Sequence, residues 1–217
     1  MFSIPFPFLG AIVLVLLLAQ MTWRQGSVVL ANRPLRILLG GYALLSVLVG
    51  LRWGHGVTLL LPLQATVAVA LAAWSWCCFG ALAHGAGRWR VLHALPALAV
   101  VLLYAGWPDG VETVVAGTLA GYGLALLRLA RRGPDALGLA RPGQALAAHR
   151  ALWMTALLLL LSAALEVLVA GDVPRMAGRH AAMVVGGFHL VVLLLAGYAA
   201  SMAGDSVPDA QRPEPTP

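Results

Sequence analysis

Seven long apolar runs separated by short gaps make up this chain, at 4–23, 35–51, 58–82, 91–107, 111–127, 150–170 and 181–203, and most of the charge lies in the gaps and the tail. Each run is close to the roughly 17 to 25 residues that an α-helix needs to cross about 30 Å of hydrocarbon. No run shows the alternation of a membrane barrel strand. In hydrocarbon every backbone N–H and C=O has to be bonded within the protein, so the pattern predicts an all-α, polytopic fold of seven transmembrane helices in one bundle over residues 1–203. From Asp205 onward the chain turns to Pro, Asp, Glu and Gln, which predicts a disordered tail over 204–217.

The polar gaps also orient the bundle. The chain has no lysine, and all of its arginines except Arg52, Arg175 and Arg179 fall after the first, third or fifth run or in the tail. Cytoplasmic loops collect basic side chains, so the N-terminus is expected outside and the C-terminus in the cytoplasm. Met1 to Leu18 runs without charge and lacks the basic start and cleavage site of a secretory signal, so it is expected to stay attached as the first helix. The expected location is the bacterial inner membrane.

Composition narrows the classes further. Hydrophobic residues are 61% of the chain and charged ones 10%, well under the roughly 25% charged of a soluble domain. The net charge of +6 is the summed arginine of short loops facing anionic lipid and carries no nucleic-acid signal. The two cysteines, Cys77 and Cys78, are adjacent inside the third run, so they offer no disulfide framework and read as packing residues or acylation sites. The gap at 131–143 is rich in Gly, Pro and Arg and reads as an exposed, turn-rich cytoplasmic loop. Gly117 and Gly121, with Gly123 beside them, predict close helix packing inside the bundle, with a homodimer face as the other reading.

Charged groups in or beside the bilayer are costly, which makes each a functional hypothesis. Glu166 lies about 24 Å along its helix from Arg150 and so near the external end. Arg52 closes the second helix on that side, with His55 beside it. These residues are expected to line an outward-facing pocket for a small ligand, roofed by the loop from Asp172 to His180. The alternative is that they serve the interface alone, snorkelling to headgroups. His189, about a third of the way along the seventh helix, is read as a ligand contact or proton relay, or as a satisfied core histidine. The ligand-binding set is therefore Arg52, His55, Glu166, His180 and His189. Met176, His180 and Met183 are soft donors at helical spacing, but belt and core packing explains them, and no metal or cofactor is expected. No nucleophile–base arrangement, paired catalytic carboxylates or phosphate loop occurs, so no enzyme is expected.

Two stretches carry a family resemblance: Ser-Val-Leu-Val-Gly-Leu-Arg-Trp-Gly-His-Gly at 46–56 and Tyr-Gly-Leu-Ala-Leu-Leu-Arg-Leu-Ala-Arg-Arg-Gly-Pro-Asp-Ala-Leu-Gly at 122–138, with Gly-Arg-His-Ala-Ala at 178–182. Over most of 1–203 the chain resembles the N-terminal membrane region of AraC-type transcriptional regulators, in which a multi-span helical domain precedes a cytoplasmic pair of helix-turn-helix units. The resemblance implies a sensory input domain that answers a small ligand or membrane state and signals to a cytoplasmic DNA-binding output domain or protein. It implies no contact with nucleic acid by these residues themselves. The sequence here ends after a short tail, so the expectation is a separated sensor portion or a stand-alone relative. The competing reading is a small transporter or permease subunit, against which stand the uniform Leu, Ala and Val of the spans.

Overall fold

A computed structural model describes residues 6–24, 33–85, 88–140, 145–176 and 187. Among the described residues the chain is all-helical, with six α-helices and no strand. They are α1 (Phe6–Arg24), α2 (Arg33–His55), α3 (Leu61–His84), α4 (Leu95–Gly106), α5 (Val111–Ala130) and α6 (Ala145–Met176). Three helical stretches, Leu61–His84, Pro108–Ala130 and Ala145–Gly171, are long and apolar enough to cross a membrane. The seventh run and the tail lie outside the described residues, apart from Gly187.

The core sits between α3, α4, α5 and α6. Val69 and Ala72 from α3, Val100 from α4, Leu126 from α5 and Leu152 and Ala156 from α6 are wholly or almost wholly buried in one contiguous cluster. The pairing of α5 with α6 is the most extensive among the described helices. Gly123 makes it possible, because a Cβ at that position would lie 2.9 Å from the Leu160 side chain and 3.2 Å from its backbone nitrogen. Helices that approach this closely depend on small residues at the contact. The helix α1 packs mainly on α2, which in turn meets α3. Outside the core, Leu16, Leu98, Leu102, Val167 and Leu168 are all more than half exposed, the apolar outer surface that a lipid-facing helix presents.

Four sequence expectations need correction. The fourth run is a composite: a 3-10 segment, Arg88–Ala94, leads into an α-helix of only 12 residues. Pro96 falls in the first turn of α4, where its missing N–H costs no helical bond, so the α-helix starts there and the tighter winding precedes it. The combined rise, about 14 Å of 3-10 and about 18 Å of α-helix, still approaches bilayer thickness. The sixth helix is longer than its apolar run, at 32 residues, and takes in His149 and Arg150 at one end and Asp172 to Met176 at the other. Asp172 to Met176 is therefore helix, not roofing loop. Pro174 breaks only one ladder bond two residues from the end, too little to stop the helix earlier.

The third correction concerns the glycine pair. Nothing among the described residues lies within 4 Å of a Cβ built on Gly117 or Gly121, and the close approach seen among those residues is made by Gly123 instead. The fourth concerns the α5–α6 connection, which is not merely an exposed linker. Leu137 is 1% exposed and belongs to the core cluster, and the Leu139 N–H donates to the Leu82 carbonyl of α3 at 3.0 Å. Gly133 supplies the left-handed turn, φ +87°, that lets the segment fold back.

Candidate functional site: a polar cavity at one end of the bundle

Alternating helices bring the end of α2, the start of α3, the end of α4, the start of α5 and the far end of α6 to the same side of the bundle. A cavity of about 310 Å³ lies among them. Its polar lining is Arg52 from α2, Gln64 from α3, Tyr104 from α4, Asp109 and Glu112 from the entry to α5, and Glu166 from α6. Leu61, Ala65, Ala68, Val111, Val115 and Val169 supply the apolar wall. That volume sits at the small end of the range for small-molecule sites, and the lining is more polar than the mainly apolar wall usual among them.

Local sequence explains how each polar group gets there. Arg52 occupies the last turn of α2 because the helix stops at Gly56, whose φ of +68° is a left-handed cap. The Gly56 N–H donates to the Arg52 carbonyl at 3.0 Å, and the Val57 N–H to that of Leu51 at 3.3 Å. Gln64 falls in the first turn of α3, just after Pro62. Trp-Pro-Asp-Gly at 107–110 forms a short 3-10 turn that ends α4, through the Trp107 N–H donating to Leu103 at 2.7 Å, and feeds directly into α5. Asp109 and Glu112 thereby stand at the mouth, both exposed, while Arg52, Tyr104 and Glu166 are half-buried.

The charges of Arg52 and Glu166 interact, and Glu112 adds to the same local field. Gln64 differs from the rest. It is 8% exposed, and its side-chain oxygen Oε1 is buried with no hydrogen-bond partner among the described residues. A buried acceptor left in this state costs about 1–3 kcal/mol. Among the described residues no set of three His, Cys, Asp or Glu side chains converges as metal ligands.

The structure thus brings together two of the five ligand-binding candidates, Arg52 and Glu166. His55 is exposed and turns away to α1, its ring meeting that of Phe8 edge-on at 5.9 Å between centroids, and it does not line the cavity. His180 and His189 lie outside the described residues, as does Met183, and the Met176 side chain is not described. Gln64, Tyr104, Asp109 and Glu112 are lining residues that the sequence alone did not single out. Glu112 carried the clearest signal, an acid in the first turn of an apolar helix. No family model, curated protein or solved structure matches the chain.

Proposed function

We propose that this chain is a seven-helix, multi-pass module of the bacterial inner membrane, N-terminus outside and C-terminus in the cytoplasm, that acts as the sensory input of a membrane-bound AraC-type transcription regulator. The observation that carries the sensory reading is the cavity: five elements contribute to it, and it lies at the end of the bundle away from the arginine-rich connection between α5 and α6. The positive-inside rule turns that end outward. The sequence resemblance supplies the regulator and its cytoplasmic output.

The mechanism is a shift between two packings of the bundle. A small polar ligand that touches α2, α3, α5 and α6 at once favours whichever arrangement draws those ends together, by as much as its affinity for the two arrangements differs. Helices are stiff rods, so a change at the outer ends moves the inner ends, where the output attaches.

Flux measured in proteoliposomes tests this against transport. A ligand that raises the melting temperature of the protein but does not cross the vesicle membrane supports a sensor. Saturable uptake that Arg52→Ala and Glu166→Ala abolish would make the chain a transporter.

A further inference from the structure

Resting on the reading of this cavity as a ligand site, we propose that its ligand is a small organic cation bearing primary ammonium groups, with diamines preferred over monoamines. Two independent features point to that chemistry. The first is charge: among the described residues three carboxylates, Asp109, Glu112 and Glu166, and one guanidinium, Arg52, line one small cavity. The surplus is acidic and draws a cation of charge up to two. The second is the Gln64 oxygen, an acceptor more than nine-tenths buried, lining the cavity and lacking a donor among the described residues. An ammonium group is the complement of both, since it carries a positive charge and three N–H donors and accepts nothing.

The arrangement also selects among cations. A quaternary ammonium has the charge but no N–H for Gln64. A bare metal ion needs several oxygens converging at coordination distance, and these acids are instead spread between the cavity wall, at Glu166, and its mouth, at Asp109 and Glu112. One ammonium therefore sits inside between the Gln64 oxygen and Glu166, with a short methylene chain along Ala65, Ala68 and Val115. In a diamine the second reaches the mouth.

The test uses the whole chain, purified in detergent and reconstituted in proteoliposomes, with 1,4-diaminobutane as probe and 1-butylamine, tetramethylammonium and calcium at matched ionic strength. Melting temperature reads binding. The diamine is expected to shift it most, butylamine less, and the other two not at all. Gln64→Leu keeps the side-chain volume and removes the acceptor. It is expected to fold with a melting temperature at or above the parent's and to bind the diamine about ten- to hundredfold more weakly. Glu166→Gln is expected to weaken binding similarly.

Equal shifts from tetramethylammonium or calcium, or undiminished diamine binding in Gln64→Leu, would overturn the proposal. So would no shift with a folded parent, which leaves the sensory reading standing with another ligand. Diamine bound and then carried across the vesicle membrane would keep this assignment and remove the sensory one.

Discussion

The two ends of the bundle are built on opposite terms. At the arginine-rich end packing and hydrogen bonds close the fold, although Arg36 near the start of α2 has buried Nε and Nη2 atoms with no partner among the described residues. The loop after α5 lays Leu137 into the core and bonds Leu139 back to α3, His149 donates through Nε2 to the Ala130 carbonyl at 2.8 Å, and His93 shares a 2.8 Å hydrogen bond with Tyr122. At the other end six polar side chains line open volume, and one of them, Gln64, keeps a buried oxygen without a donor among the described residues. One end is closed by its loop, while the other sets an unpaired acceptor against open volume. A buried acceptor without a donor needs an explanation, and beside open volume the proposed ligand supplies one.

If that contrast is right, equivalent damage should register differently at the two ends. Leu137→Ala empties a buried position at the closed end and is expected to cost the most, about 2–4 kcal/mol, seen as a lower unfolding midpoint in detergent. Gly123→Val, which drives a side chain into Leu160 along the α5–α6 contact, should follow at about 1–3 kcal/mol by the same measurement. His149→Ala removes one of two donors to the Ala130 carbonyl, which keeps the Gly133 N–H at 3.2 Å, and should lower the midpoint by about 0.5–1 kcal/mol. Gln64→Leu belongs to the open end, where the polar atom it removes has no partner, so the midpoint should hold or rise by up to about 1 kcal/mol. A clear destabilisation by Gln64→Leu would erase the distinction.

Much of the helical layout was legible because lipid rewards unbroken apolar length, and the described helices α1 to α6 fall on the first six apolar runs. Their ends were less legible. Arg150 read as a boundary, yet α6 begins five residues earlier, at Ala145. The fourth run hid its change of winding, since apolar content does not distinguish a 3-10 turn from an α-helix, and only Pro96 hinted at where the α-helix begins.

The site divides in the same way. Arg52 and Glu166 were readable because a charge beside hydrocarbon stands out against Leu and Ala. Gln64 was not, because a lone amide in an apolar run is unremarkable until packing buries it and leaves its oxygen unmatched. His55 was misleading for the converse reason: it lies three residues from Arg52, close to one helical turn, but the helix end carries its ring toward Phe8.

Everything functional turns on the cavity end facing out of the cell. Single cysteines placed in a Cys77→Ser, Cys78→Ser background and probed with a membrane-impermeant maleimide in intact spheroplasts test this directly. Leu59 is 87% exposed in the α2–α3 connection beside the cavity, and Leu139 is 62% exposed in the arginine-rich loop. Leu59→Cys should label in intact cells and Leu139→Cys only after lysis. The reverse pattern, Leu139→Cys reacting from outside and Leu59→Cys protected until lysis, would contradict the account.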